Sequence, residues 1–188
     1  MKIAIISDSH DNLPNLEKAL SWIKSQNISL IIHCGDLCAP TMLSKVLAPN
    51  FSGEIHFVYG NVGDRERLQD IIKPFKNVKF YGDVGEIELD GNPEGEPRTR
   101  TSTVRGGQAP YGARKIAFCH FPEKAKELAV TQRHDLVFYG HTHKPWEEKI
   151  GRTRLVNPGN LAGLFYKATF AVYDTETDKL ELKILEKL

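Results

Sequence analysis

Side chains that can bind a metal ion follow five short apolar runs of this sequence, each time directly after the run ends. In chain order they are Asp8 with His10, Asp36, Asn61, His120, and His141 with His143. Any one of them, taken alone, is typical of a turn, a helix cap or a satisfied polar residue. Their recurrence at the same end of five runs instead indicates one shared site, because unrelated polar residues would not repeat that position.

The donor types in this set determine which chemistry it suits. Two aspartates, one asparagine and four histidines combine carboxylate, amide oxygen and imidazole, which suit borderline divalent ions such as Mn, Fe, Ni, Co or Zn. Seven donors are too many for one tetrahedral site. They suit two ions ~3.5–4 Å apart that share a bridging carboxylate, an arrangement common in phosphatases and nucleases.

The spacing of the donors predicts how the backbone presents them. Residues i and i+2 of an extended segment point the same way. Asp8 and His10 are therefore expected to face one point, and His141 and His143 are expected to do so if their loop is locally extended. The glycines before these positions, which let the backbone turn or approach closely, are Gly35, Gly60 and Gly140.

The first half of the chain alternates buried strand patterns with helical patterns. The predicted strands are Lys2–Ser7, Ile28–His33 and Ile55–Tyr59, and the predicted helices are Asn12–Ser25, Pro40–Ala48 and Asp64–Lys73. This alternation is typical of a parallel sheet with crossover helices. In open α/β sheets, ligands bind beyond the carboxyl ends of the strands, which is where the donors stand.

The second half contains mostly strand patterns. The predicted strands are Val78–Tyr81, Glu86–Leu89, Lys115–Cys119, Leu136–Tyr139, Trp146–Ile150, Thr153–Asn157, Thr169–Asp174 and Leu180–Leu185, with one helix over Pro122–Val130. We expect an α/β sandwich of two sheets with helices on the outside. One segment, Gly91–Gly112, is rich in Gly, Pro, Thr and Arg and poor in large apolar residues. It predicts a disordered or lid-like surface loop, with a structured element as the alternative.

Length, charge and cysteine content limit the class of protein. A chain of 188 residues with 40% hydrophobic and 26% charged residues predicts one globular domain over 1–188. A net charge of +1 favours neither nucleic acid nor an anionic membrane as partner. The apolar start is too short for a secretory signal, and no run reaches the ~20 residues of a membrane span. The sparse cysteines, Cys34, Cys38 and Cys119, predict a reduced, cytoplasmic protein.

Taken in order, the motifs resemble those of the calcineurin-like metallophosphoesterase superfamily. They are Asp8-x-His10, Gly35-Asp36, Gly60-Asn61, His120 and Gly140-His141-x-His143. The resemblance covers nearly the whole chain and is strongest to the small single-domain bacterial and archaeal phosphodiesterases. It implies a four-layer α-β-β-α sandwich, with two mixed β-sheets flanked by helices.

The resemblance also implies a role for each donor. One metal would take Asp8, His10 and His143, and the other would take Asn61, His120 and His141. Asp36 would bridge the two. The remaining histidines, His33, His56 and His134, match no ligand position and are interpreted as ordinary polar residues. The turn Asn157-Pro158-Gly159-Asn160 would lie beside the metals and shape the rim of the pocket.

Three departures from the family pattern affect the expected chemistry. The first is Val62, which follows Asn61 where larger relatives place a histidine that acts as general acid or transition-state stabiliser. Many small relatives place a cysteine there with an acidic residue directly after it, whereas here Asp64 comes one residue later. The second is Phe121, which follows His120 where the family often has glycine. The third departure is the insertion Gly91–Gly112, which precedes the strand that leads to His120.

The sequence therefore supports a metal-dependent phosphoesterase, most simply a phosphodiesterase, that acts on a small phosphoester through a water activated by two metals. Manganese is the expected ion, with Ni, Fe, Zn and Co as alternatives. The expected catalytic residues are His10, Asp36, Asn61 and Asp64, with His10 and Asp64 as candidate proton donors. The alternative is a non-catalytic scaffold of the same fold that binds proteins. Such a scaffold would be expected to lack some of the metal-ligand residues. Homo-oligomerisation is left open.

Overall fold

Two mixed β-sheets form the centre of the computed structural model, which describes residues 1–89 and 113–188. The strands are β1 (Lys2–Ile6), β2 (Leu30–His33), β3 (Glu54–Phe57), β4 (Val78–Phe80), β5 (Val84–Leu89), β6 (Arg114–Cys119), β7 (Leu136–Phe138), β8 (Trp146–Ile150), β9 (Thr153–Asn157), β10 (Thr169–Asp174) and β11 (Lys179–Ile184). The helices are α1 (Leu13–Ser25), α2 (Ala48–Asn50), α3 (Arg65–Ile72) and α4 (Pro122–Val130), with a π-helical segment Met42–Leu47 and a final 3-10 turn Leu185–Lys187. The predicted insertion Gly91–Gly112 lies outside the described residues.

The strand order brings the donor-bearing strand ends to one edge of the fold. The first sheet runs β11-β10-β1-β2-β3-β4 and the second runs β5-β6-β7-β9-β8. Strands β1 to β4 are parallel neighbours, and β6 is parallel to β7. The carboxyl ends of β1, β2 and β3 therefore lie together, as do those of β6 and β7.

Three separate apolar clusters lie between four layers. Residues such as Leu16 of α1 and Ile55 of β3 pack between the first sheet and its helices. Ile32 and Phe118 belong to the cluster between the two sheets. Ala125 of α4 belongs to the cluster behind the second sheet. The predicted α-β-β-α sandwich is confirmed, and the central strands of each sheet are buried on both faces because each sheet lies between two layers.

The elements differ from the sequence-based expectation mainly at their ends. The bounds of α4, β8, β9 and β10 are as expected. The helix expected over Pro40–Ala48 is helical from Pro40 as predicted, but its turns over Met42–Leu47 are π-helical and it continues into α2. Pro49 explains the wider turn, because a proline cannot donate to the carbonyl four residues earlier and its ring would crowd that carbonyl.

Candidate metal centre

The seven side chains singled out in the sequence converge beyond the carboxyl ends of five strands. Those that follow strands of the first sheet are Asp8, His10, Asp36 and Asn61, and those that follow strands of the second sheet are His120, His141 and His143. Each sheet therefore supplies part of the set. The site exists only where the two sheets meet, since neither sheet carries all the donors.

Asp8, His10 and His143 form one group of donors. The Nε2 atoms of His10 and His143 lie 3.1 Å apart. Asp8 Oδ1 lies 3.4 Å from Nε2 of His143 and 3.8 Å from Nε2 of His10. Asp8 is fully buried and the histidines are largely covered, so the three ligand atoms face one small volume.

Asn61, His120 and His141 form the second group. The Oδ1 atom of Asn61 lies 2.9 Å from Nε2 of His120 and 2.9 Å from Nδ1 of His141. Asp36 stands between the two groups. Its Oδ2 atom lies 3.3 Å from Nε2 of His120 and 3.7 Å from Nε2 of His10.

The chemistry of the donor atoms calls for a cation among them. The backbone oxygen of Cys34, 2.8 Å away, can only accept a hydrogen bond, so Nδ1 of His120 carries the proton. The lone pair of its Nε2 then faces the oxygens of Asn61 and Asp36, a repulsive contact unless a proton or metal lies between them. Two groups, Asp8–His10–His143 and Asp8–Asp36–His120, have ligand atoms within 4.8 Å of one another. These residues therefore fit divalent metal ions.

Left-handed backbone, rather than extended backbone, presents most of the donors. Five of them have positive φ: Asp8 at 50°, His10 at 40°, Asp36 at 55°, His141 at 68° and His143 at 60°. The expectation that these loops are extended is wrong. Aspartate and histidine tolerate this region better than most residues, but it remains uncommon and is found where a functional site holds it.

Three glycines are required by close approach to these donors. A Cβ at Gly60 would lie 1.9 Å from Oδ1 of Asp36, and one at Gly140 would lie 2.0 Å from Oγ of Ser7. Gly35 has a φ of +97°, and its Cβ would lie 2.6 Å from Nδ1 of His120. The close-approach role predicted for these glycines is confirmed, because any side chain here would displace a donor or the residue beside it.

Backbone amides orient the two carboxylates. The amide of His141 donates to both oxygens of Asp8, at 3.2 and 3.1 Å. The amide of Val62 donates to Oδ1 of Asp36 at 2.9 Å, which leaves Oδ2 to face the histidines. Burial alone would raise the pKa of Asp36, but contact with His120 and the Val62 amide outweigh it and hold that pKa below its usual value.

His33, interpreted as an ordinary polar residue, contacts both the loop that carries Asp8 and His10 and the loop that carries Asp36. The amide of Gly35 donates to its Nδ1 at 3.2 Å, so Nε2 carries the proton and faces Oγ of Ser9, also at 3.2 Å. Ser9 stands between Asp8 and His10. Burial lowers the pKa of His33 to about 4, which keeps the ring neutral. Its position at the end of β2, beside the Gly35-Asp36 motif, is the sequence feature from which a role for His33 at the site could have been predicted.

The turn after β9 holds the histidine loop through side chains as well as backbone. Asn157 Nδ2 donates to the carbonyl of Gly140 at 2.8 Å and to Oγ1 of Thr142 at 3.0 Å. Asn160 Nδ2 donates to the carbonyl of His143 at 3.1 Å. The sequence suggested only backbone shaping of a rim here, whereas both amides brace the loop directly.

The other residues singled out in the sequence do not belong to the donor set. Asp64 caps α3, since its Oδ1 accepts from the amide of Arg67 at 2.9 Å. His56 pairs with Glu54 and His134 with Glu86, outside the donor set. Cys34 and Cys119 are buried. The third, Cys38, is only partly buried and places Sγ 3.3 Å from Nδ1 of His10.

A family model agrees with this geometry. The model described as the calcineurin-like phosphoesterase superfamily domain matches residues 1–178. That range contains all seven donors and every strand up to the turn after β10. In the described ranges, every helix is too short or too polar to cross a membrane.

Individual relatives agree with the family match. A phosphodiesterase of Methanocaldococcus jannaschii is 28% identical over 190 residues, covering 99% of this chain and 100% of the relative. A solved structure described as a novel archaeal phosphodiesterase has 27% identity, a TM-score of 0.78 and coverage of 98% and 99% of the two chains. Vps29 of Entamoeba histolytica complexed with zinc has 16% identity, a TM-score of 0.63 and coverage of 98% and 99%. At that identity Vps29 shows a shared fold alone.

Proposed function

Because the chain belongs to the calcineurin-like phosphoesterase superfamily and is a phosphoester hydrolase, we propose that it is a phosphodiesterase with two divalent metal ions. The position of Asp36 carries this proposal, since its Oδ2 lies within 3.3 Å of Nε2 of His120 and 3.7 Å of Nε2 of His10. One carboxylate oxygen thus faces both groups of donors. The phosphodiesterase of Methanocaldococcus jannaschii, similar over its full length, supports a diester as the substrate.

The proposed ligands follow the two groups. Asp8, His10 and His143 would hold one ion and Asn61, His120 and His141 would hold the other, with Asp36 facing both groups. Manganese is the proposed ion, because carboxylate and amide oxygens share the site with imidazole; Ni, Fe, Zn and Co suit the same donors. We also propose that residues 1–188 form one domain that acts on a small phosphoester in the cytoplasm.

Bound metals would supply positive charge for the phosphate oxygens and lower the pKa of bound water towards ~7. The chain's own residues orient this chemistry. Contact with His120, and then the Val62 amide, favours the ionised form of Asp36, and Asn157 and Asn160 hold the histidine loop. In the described ranges, the hydrogen bonds and ion pairs of the seven donors involve no lysine or arginine.

Leaving-group protonation is the weak point of the site. Val62 follows Asn61, and its side chain is 45% exposed and cannot donate a proton. We therefore expect diesters with acidic leaving groups, such as aryl diesters, to react faster than alkyl diesters. Asp64 and His10 remain the candidate donors. The scaffold alternative has no observation in its favour, because all seven donor positions are filled and brought together.

The substitution Asp36→Asn tests the proposal, assayed with bis(4-nitrophenyl) phosphate and Mn²⁺. Asparagine keeps the size of the side chain and an oxygen for the Val62 amide but removes the charge shared by the two ions. We expect at least ~100-fold loss of kcat/KM and loss of one or both metals by elemental analysis. Asp70→Asn, a surface carboxylate paired with Lys73, is the matched control. Equal activity of wild type and Asp36→Asn would argue for a contaminating enzyme or for the scaffold.

A further inference from the structure

Two phenylalanine rings stand at opposite ends of the donor set. The ring of Phe121 lies 5.1 Å from that of His120 and 5.0 Å from that of His141. The ring of Phe165 lies 5.8 Å from that of His143. Phe121 is 38% exposed and Phe165 is 91% exposed. Each group of donors therefore has a partly or fully solvent-facing aromatic ring beside it.

Phe165 is held in a conformation that a free chain would avoid. Its φ is +64°, and the amide of Tyr166 donates to the carbonyl of Leu164 at 2.7 Å. This is a γ-turn centred on a bulky residue with positive φ, a rare and strained arrangement. The turn also leaves an aromatic side chain almost fully in water. Two unfavourable features at one position point to a contact made by the ring with a ligand.

The loop that carries Phe165 is tied to the metal-ligand loop. The amide of Leu161 donates to the carbonyl of Ser7 at 2.9 Å, and that of Ala162 donates to the carbonyl of Asp8 at 3.0 Å. Oδ1 of Asn160 accepts from the amide of Leu164 at 2.8 Å. These hydrogen bonds fix the backbone of the loop that carries Phe165 relative to the metal-ligand loop.

The position of Phe121 is also determined by local structure. It precedes Pro122, the first residue of α4, and its carbonyl accepts from the amide of Ala125 at 3.0 Å. Because it directly follows His120, its ring cannot move far from that donor while the helix is formed. The bulky residue that departs from the family pattern therefore forms one wall of the site.

We propose that Phe121 and Phe165 are specificity-determining residues that stack on flat aromatic groups, aryl rings or nucleobases, carried on the two ester arms of the substrate. This rests on the proposed phosphodiesterase function. A diester has two arms leaving the phosphorus, and the site has one exposed ring at each end of its donor set. Aromatic rings bind flat groups through their faces with little dependence on the identity of the group. The exposed side chain of Val62 adds apolar surface beside Asn61.

Binding of substrate-like diesters tests the inference separately from the rate of hydrolysis. We expect Mn²⁺-supplemented wild type to bind diphenyl phosphate about 100-fold more tightly than dimethyl phosphate in calorimetric titrations, about tenfold for each arm, with methyl phenyl phosphate between them. Phe121→Ala and Phe165→Ala should each remove most of one arm's preference, about tenfold in the ratio of dissociation constants. Dithymidine phosphate distinguishes nucleobases from simple aryl groups as the natural partner of the rings.

Matched variants separate stacking from general apolar contact and from damage to the fold. Phe165→Trp keeps a flat face and should keep the preference, whereas Phe165→Leu should lose it. Leu182→Ala, an exposed apolar side chain of edge strand β11, should leave the ratio unchanged. Metal content and melting temperature are measured for every variant, and only variants that match wild type in both are compared.

The outcomes of this proposal and of the proposed function are distinguishable. Equal affinity of wild type for diphenyl and dimethyl phosphate overturns the aromatic specificity, even if diesters are hydrolysed. An aryl preference that Phe165→Ala largely removes for one ester arm supports the aromatic specificity, even if no diester tested is hydrolysed. A failure to hydrolyse any diester would instead overturn the proposed phosphodiesterase function. Preference retained in both Phe→Ala variants also overturns the role of these rings.

Discussion

The Nε2 atoms of His10 and His143 lie 3.1 Å apart, although 133 residues separate them in the chain. Two imidazole nitrogens at this distance cannot both present lone pairs to each other without repulsion. Asp8 lies beside both, with Oδ1 at 3.8 and 3.4 Å from the two nitrogens. The arrangement is stable only when a proton or a cation satisfies these atoms, and this requirement gives the first prediction.

Metal binding should stabilise the folded protein. Because the donors come from both sheets, the unfolded chain cannot offer the same site, and a ligand at 100 times its Kd adds about 2.7 kcal/mol of stability. We expect EDTA to lower the Tm and Mn²⁺ to restore it. His143→Ala should remove most of the Mn²⁺-dependent rise, while Lys124→Ala on α4 should keep it. A Tm insensitive to EDTA and Mn²⁺ would contradict the metal centre.

His33 should make the protein sensitive to mild acid. Burial lowers its folded pKa from 6.5 to about 4, so the folded state binds fewer protons than the unfolded state. Its contribution is complete above pH 6.5 and is lost as the pH falls towards 4. The size is of order 3 kcal/mol.

Urea unfolding at pH 7.5 and at pH 4.5 measures this effect in wild type and in His33→Gln. Glutamine keeps polar atoms near Ser9 and Gly35 but does not titrate. We expect the variant to be less stable than wild type at pH 7.5 and to lose less stability on acidification. Identical pH dependence in the two proteins would show that His33 is not the titrating group.

Gly140→Ala should weaken metal binding more than it weakens the fold. The added Cβ would lie 2.0 Å from Oγ of Ser7 and 2.6 Å from Oδ2 of Asp8, so that ligand must shift. We expect about 10- to 100-fold lower metal affinity. Gly82→Ala is the control, because its φ is +75° but its Cβ would meet nothing within 4 Å. That control should cost about 1 kcal/mol of stability and leave metal affinity unchanged.

Asp64→Asn should selectively slow the hydrolysis of esters with weakly acidic leaving groups, because Asp64 is a candidate proton donor to the leaving group. Methyl 4-nitrophenyl phosphate and methyl 4-nitrobenzyl phosphate differ by one methylene but strongly in leaving-group acidity. We expect wild type to be at least ~100-fold slower on the benzyl ester and Asp64→Asn to slow that ester about tenfold further, with little effect on the aryl ester. Asparagine is also a good helix cap, so α3 is preserved. Similar rates on both esters in wild type would contradict weak leaving-group protonation.

Much of the fold is readable from the sequence because its signals are local. Buried strands appear as short β-branched apolar runs, and the helix Pro122–Val130 follows from its own spacing. The type of helical turn was less predictable. Over Met42–Leu47 the helix is π-helical, because Pro49 widens its turns. The segment Gly91–Gly112 lies outside the described residues, so its predicted character stays a prediction.

By itself, the sequence determined the kinds of donor and their place at the ends of strands, because both depend on neighbouring residues. Tertiary structure alone decided the rest. It set the left-handed backbone at Asp8 and His141, which depends on contacts between loops distant in sequence. It also placed neutral His33 beneath Ser9 and the ring of Phe165 beside His143. Such contacts join residues from different strands and loops, and no local pattern encodes which of them meet.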